Sequence, residues 1–520
     1  MNFSEYNLLA DSTQMIFLNS NAWSILLVVG ILFFSMILAH WLKKIVPFLR
    51  KSLVPSSVLG GIIVLIFTSI FKLITGDTFF NLEVLSIMFE QTTETGEVIK
   101  GTALSGTELL DVITYHCLGL GFVAMGLRRG KEEKLTKERV GEVIDTGVTT
   151  VSTYLIQVII GLGITIIAAP IIKGLIEAAG IILALGYGQG TGQAMNWGII
   201  YESDYGFIGG KDFGLAIAAL GFLSASIGGV ICLNVLKRKN LIKVADIKNK
   251  ELNDENINKR PGMPKLTTSV AIIICTYAIS YGLMYLLGNI VGEGLKSTIY
   301  GFNFLFGTVA ALLVKSVLKF FRKRNILKQD YIDDELMNSI GGVAFDIMIV
   351  AGIAVIDLEL IKEYWGLLLI LGALGAAATF LFNWFVAKKL FKGYAYEQFF
   401  AMYGMLTGTA STGIILLREL DPKFETPASD NLVYQNLPAI ILGFPILMLA
   451  KYAPQSRQTS IIVWFVVIAL LIVLLLILFR RQIFRRKKKK EEAVCTRCLQ
   501  FFYNFKAGLC VFPSLVAGCG

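Results

Sequence analysis

Two short phrases in this chain hold the residue types that bind small ions and polar solutes. Gly188-Gln189-Gly190-Thr191-Gly192-Gln193-Ala194 and Gly404-Met405-Leu406-Thr407-Gly408-Thr409-Ala410 share the pattern Gly-x-x-Thr-Gly-x-Ala. Glycine lets the backbone turn tightly and lets a ligand come close to it. A helix that starts at such a turn presents unpaired N–H groups and the positive end of its dipole, which suit a carboxylate. Thr191, Thr407, Thr409, Ser411 and Thr412 add hydroxyls, and carbonyls freed at a break are oxygen donors for a hard cation. Gln189, Gln193 and Asn196 are amides in a segment that reads as buried, so each must bond backbone or meet a ligand. Gln193 and Asn196 share a helix face if a helix starts at the tip. The plainer reading is that small residues only let helices pack closely. Recurrence of the phrase in two matched places favours binding.

Asp346 is the other residue marked for chemistry, because a carboxylate within an apolar stretch is costly and functional by default. It suits an ion, a coupling proton or a ligand ammonium, against the simpler reading of a hydrogen-bonded packing group. Asp111 and Asp145 sit near span ends and are expected to reach interfacial water. His116 reads as a packing histidine, Arg128 and Arg129 as orientation anchors, and Trp23, Trp41 and Tyr452 as interfacial belt residues. Cys117, Cys232 and Cys275 read as small packing residues. Cys495, Cys498, Cys510 and Cys519 are irregularly spaced with no histidine near, which makes a zinc site unpromising.

The elements that must position these groups are membrane spans. Of 520 residues 55% are hydrophobic and only 17% charged, which a soluble domain does not match. Runs of about 20 apolar residues recur along the chain, enough to cross a bilayer. The expected spans are Trp23–Leu42, Leu53–Ile74, Leu109–Leu127, Val143–Ala169 and Phe213–Leu236 in the first half. In the second they are Thr268–Val291, Ile299–Val317, Ser339–Leu358, Gly366–Ala387 and Leu432–Ala450, with one extra span at Ile461–Phe479. Each phrase falls between the fourth and fifth span of its half. Both are too glycine-rich to cross cleanly and read as re-entrant hairpins, near 179–198 and 394–417.

Charge supports this layout. With the N-terminus outside, Lys and Arg concentrate in the inside segments: Lys43 to Lys51, Arg128 to Arg139, Lys237 to Lys265, Lys315 to Lys328, Lys388 to Lys423 and Arg480 to Lys490. The loop from Asp77 to Ser105 is acidic and outside. The net charge of +10 therefore reflects the membrane, not nucleic acid. The expected fold is an all-α polytopic membrane protein with two inverted five-helix repeats, each with a re-entrant hairpin, plus one extra C-terminal transmembrane helix. By position these are an extracellular N-terminus (1–22), a first repeat (23–236), a cytoplasmic linker (237–267), a second repeat (268–452), the extra helix (461–479) and a basic cytoplasmic tail (480–520). Paired Gly-interrupted segments in such halves point to a secondary transporter.

Over most of residues 20–452 the chain resembles the bacterial sodium/glutamate symporters. The likeness rests on Val54-Pro55-Ser56-Ser57-Val58-Leu59-Gly60-Gly61, on Gly126-Leu127-Arg128-Arg129-Gly130 and on the two tips. Family members typically carry His-Gly-Thr in the first tip and Thr-Pro-Thr-Ala in the second. Here these read Gln189-Gly190-Thr191 and Thr407-Gly408-Thr409-Ala410. The resemblance implies a homodimeric importer of glutamate or a related amino acid or carboxylate. Na+ is its coupling ion and no other cofactor is implied; the hairpins build the site and the plasma (inner) membrane is its place. Rival readings are a channel with re-entrant pore loops and a proton-coupled transporter of another small organic anion. An enzyme is disfavoured, since no His-Glu-x-x-His motif or Ser/His pair is present.

Overall fold

The computed structural model describes residues 20–92, 98–128, 137–239, 241–242, 265–326, 332–421, 426–480 and 482. The N-terminal 19 residues, Arg129, most of the basic linker and the four tail cysteines lie outside the described residues. The chain forms two compact units, Met1–Ile468 and Ala469–Gly520.

In the first unit, helix α1 (Ser20–Ile45) is followed by α2 (Ser56–Thr75). Pro55 sets the start of α2, since the residue before a proline is pushed out of the helical region, and Gly76 in the left-handed region (φ 81°) ends it. Helix α3 (Gly106–Leu127) opens with a capping box: the Ser105 hydroxyl accepts from the Glu108 N–H, and the Glu108 carboxylate accepts from the Ser105 N–H. Then come α4 (Lys137–Ala168), α5 (Ile182–Gln189), α6 (Thr191–Tyr205) and α7 (Gly210–Arg238).

The second half repeats this order. It contains α8 (Lys265–Val291), α9 (Asn303–Lys323), α10 (Asp334–Ala354), α11 (Trp365–Leu390), α12 (Ala395–Leu406), α13 (Ala410–Arg418) and α14 (Asn436–Tyr452). Asp333 caps α10 by accepting from the Glu335 and Leu336 N–H groups. The extra helix α15 (Arg457–Leu478) begins in the first unit, where Trp464 Nε1 donates to the Ile159 carbonyl at 2.9 Å. In the second unit Arg480 Nη1 bonds the Ile477 carbonyl at 2.7 Å.

Among the described residues ten helices are long and apolar enough to cross a membrane. Two expectations need correction. The fold is nearly all-helical rather than all-α: the acidic loop carries an antiparallel hairpin of β1 (Ile87–Thr92) and β2 (Val98–Leu104), in stretches rich in β-branched residues. The expected span Leu432–Ala450 is the one that falls short. Its helix α14 has 17 residues, with Pro438 in its first turn and Pro445 inside, after a separate short helix at Ala428–Tyr434. At 1.5 Å per residue it reaches about 25 Å.

Several helix contacts recur when the two halves are exchanged. Helix α3 packs on α10 and α4 on α11. The pairs α2·α10, α1·α2, α4·α5 and α7·α11 have counterparts α9·α3, α8·α9, α11·α12 and α14·α4. Apolar side chains such as Phe34, Leu73, Leu369, Leu381 and Phe465 point outward, as lipid contact requires.

Candidate functional site

Both Gly-Thr phrases are breaks between helix pairs. At the first, α5 stops at Gln189 and α6 starts at Thr191, with Gly190 between them at φ 80° and ψ −168°. That conformation is open to glycine alone. At the second, Thr407, Gly408 and Thr409 separate α12 from α13, with Thr407 in a bridging and Thr409 in an extended conformation and Gly408 not at positive φ. The arms hold 8, 15, 12 and 9 residues, so each reaches about 12–23 Å, short of a hydrocarbon core of about 30 Å. Neither α6 nor α13 receives a side-chain cap, which leaves first-turn N–H groups unpaired at both tips.

The tips meet. A Cβ on Gly190 would lie 3.2 Å from Thr409 Cγ2 and 3.8 Å from the Gly408 carbonyl oxygen. Beside this contact is a cavity of about 80 Å³ lined by Gly188 and Gln189 from one tip and Gly408, Thr409 and Ala410 from the other. Phe122, Phe304, Phe345 and Phe444 form its apolar wall. Gln189 Oε1 is buried and has no hydrogen-bond partner. Tyr154 also lines the cavity, and its hydroxyl donates to the Gly188 carbonyl at 3.2 Å. The ring presses so closely on Gly188 that any Cβ there would collide with it.

The other expected residues are distributed around this centre. Thr191 is fully buried and donates to the Met348 carbonyl at 3.4 Å. Gly192 packs on Leu118, and Gly404 on the backbone of Gly413. Thr407 bonds back to the Tyr403 carbonyl at 2.6 Å, while the Thr409 and Thr412 hydroxyls are 3.5 Å apart. Ser411 lies in the first turn of α13. Gln193 and Asn196 do share a face, but they turn from the cavity and both donate to the Gly301 carbonyl at 3.4 Å. Asp346 is half-buried on α10 and outside the cavity lining; the Ser57 hydroxyl of α2 is the polar group beside it, and Ser57 Oγ has no closer partner. His116 Nδ1 meets the Tyr277 hydroxyl at 2.8 Å.

Two further cavities lie toward opposite ends. One, of about 180 Å³, shares Met125, Phe345 and Ala410 with the tip cavity and carries Arg128, Asn338 and Arg418. Arg128 donates to Asn338 Oδ1 at 3.2 Å. Glu419, next to Arg418, is pushed above the usual carboxylate range by burial, with Lys237 opposing the shift. The other, of about 630 Å³, is lined by Lys72, Asp111, Lys211, Asp212, Asp357 and Glu359 among others. There Lys72 pairs with Asp357 and Glu359 at 2.9 Å and Lys211 with Asp111 at 3.0 Å. Of the two aspartates expected in interfacial water, Asp111 lines this cavity and Asp145 is placed otherwise. Asp111 is ion-paired, and Asp145 is buried because α4 begins two turns earlier than expected.

Tyr154 and the aromatic wall are the site residues that sequence reasoning passes over. The signal for Tyr154 was its place in Thr149-Thr150-Val151-Ser152-Thr153-Tyr154, an unusually hydroxylated run for a membrane span.

A comparison with known families bears on what this arrangement does. The sodium/glutamate symporter family profile matches residues 122–407, from α3 through the whole first break to the start of the second. No curated protein matches the chain. The matched region covers more than half of the 520 residues and includes the first tip with Phe122, Tyr154, Phe304 and Phe345 of the cavity wall, and the chain belongs to the sodium/glutamate symporter family.

Proposed function

We propose that this protein imports glutamate, or a closely related amino acid or carboxylate, coupled to Na+, with the solute held between the two helix breaks. The observation that carries this reading is the meeting of two uncapped helix starts at one cavity. Their unpaired N–H groups suit carboxylate oxygens, the Thr409 hydroxyl adds a donor, and the unpartnered Gln189 Oε1 suits the substrate ammonium. The phenylalanine wall keeps water back, which strengthens each polar contact.

The pairs that recur on exchange of the halves, α2·α10 with α9·α3, α1·α2 with α8·α9, α4·α5 with α11·α12 and α7·α11 with α14·α4, support two inverted repeats with re-entrant hairpins. The tip cavity adjoins the cavity with Arg128 and Arg418, residues that the charge asymmetry assigns to the cytoplasm. That adjacency supports an inward-facing stage of alternating access. The family resemblance further supports a homodimer in the plasma membrane, and the charge asymmetry an N-terminus outside. Titration of purified protein with L-glutamate in NaCl and in KCl tests the reading. Saturable binding should need Na+ and weaken in Thr409→Val and Gln189→Leu. Equal affinity in both salts, or in both variants, would reject it.

A further inference from the structure

The crossing of α4 and α11 holds a polar cluster apart from the tip cavity. Thr153 and Gln157 lie one turn apart on α4, Thr379 and Asn383 one turn apart on α11, and all are buried. The donors in this cluster are used. Gln157 Nε2 donates to Thr379 Oγ1 and to the Leu406 carbonyl, each at 2.9 Å. Asn383 Nδ2 donates to the Thr379 carbonyl at 2.9 Å and to Thr153 Oγ1 at 3.3 Å. The Thr153 and Thr379 hydroxyls donate back to the Thr149 and Gly375 carbonyls at 2.8 and 2.7 Å. The amide acceptors are not used. Gln157 Oε1 and Asn383 Oδ1 are buried without a partner, and each threonine oxygen retains a lone pair.

Neither amide can turn over to escape. A reversed Gln157 would set its oxygen against the Leu406 carbonyl, and a reversed Asn383 against the Thr379 carbonyl, acceptor facing acceptor. The packing therefore leaves one buried amide oxygen on each helix of the crossing with no hydrogen to meet it. A cation completes such a group. The donors are all hard oxygens, and none is a carboxylate, which favours a monovalent over a divalent ion.

We propose that Gln157, Asn383, Thr153 and Thr379 form a Na+ site at the α4–α11 crossing. The assignment rests on the symporter reading above and supplies its coupling. Leu406, whose carbonyl Gln157 holds, directly precedes Thr407 of the second tip. An ion on Gln157 Oε1 fixes the amide whose other end carries that tip, so filling the ion site sets the shape of the substrate site.

The test is thermal unfolding of the purified protein in detergent, titrated with NaCl or KCl against choline chloride at constant ionic strength. Na+ should raise the Tm saturably and K+ should not. Gln157→Leu and Asn383→Leu should each raise the half-saturating Na+ concentration about tenfold or more. Thr153→Val and Thr379→Val, which preserve volume, should raise it less and decide the matter if the leucine variants fold poorly. Leu381→Ala, on the outer face of α11, should keep the wild-type response. An unchanged half-saturating concentration in the folded variants overturns the site and makes water its occupant. Na+-driven uptake by those same variants would leave the symporter reading intact, so the two failures are separable.

Discussion

Replacing Gly190 by alanine puts the tip geometry under the most direct strain. Gly190 sits at φ 80° and ψ −168°, and holding a non-glycine residue in such a region costs about 1–3 kcal/mol. The new methyl would also press to 3.2 Å from Thr409 Cγ2, across the contact that joins the tips. At 1.4 kcal/mol per tenfold, the strain alone lowers the population of the native tip by roughly fivefold to a hundredfold. Initial-rate uptake in proteoliposomes, at matched protein incorporation and with Tm recorded, should show that loss in KM, in maximal rate or in both. Gly282→Ala is the control. It lies within α8 with nothing within 4 Å of a new Cβ, and alanine is the better helix former by about 1 kcal/mol. Wild-type KM, rate and Tm in Gly190→Ala would refute the view that this backbone conformation shapes the site.

Thr409→Val should weaken substrate binding by roughly tenfold to a hundredfold, the worth of one hydrogen bond to a charged group. Thr191→Val, whose hydroxyl only reaches the Met348 carbonyl, should cost about 1 kcal/mol of stability with little change in affinity; equal effects of the two on affinity would contradict the cavity assignment. Gly408→Ala should do less harm than Gly190→Ala, because its backbone is not left-handed and the obstacle is space, with Thr412 Oγ1 at 3.0 Å and Phe222 Cδ1 at 3.1 Å from a new Cβ. In a cysteine-free background, Glu83→Cys should label from outside and Arg324→Cys from inside; labelling of both from one face would break the topology. Glu419→Gln should stabilise the protein at neutral pH. The native carboxyl is raised by burial, so its ionisation cost is present above the native pKa and vanishes below the ordinary carboxylate value; a Tm gain that grows on acidification would reverse that sign.

The parts of the site legible in sequence were those that one residue type dictates. Gly190 was legible because only glycine takes its conformation, and the Ser105/Glu108 capping box because its spacing is local. Gln193 and Asn196 were legible as a shared face, but which neighbour that face meets depends on the turn at Gly301, more than a hundred residues away. Gln157 and Asn383 went unremarked because a single amide in an apolar span reads as an isolated polar group; only the crossing of α4 and α11 brings them together. The β-hairpin was hidden by its acidic residues, which describe a loop's exposure and not its backbone. The fold followed from hydropathy more readily than the site did, because bilayer thickness constrains every span in the same way, whereas the contacts between tips are tertiary.

On this account an anionic amino acid is moved by a Na+ gradient through the cavity where the tips meet. Uptake of labelled L-glutamate into proteoliposomes under an inward Na+ gradient, an inward proton gradient or neither measures it directly. Concentrative uptake should require Na+, and collapsing the Na+ gradient should abolish accumulation while counterflow exchange persists. Full accumulation without Na+, driven by the proton gradient alone, would contradict it.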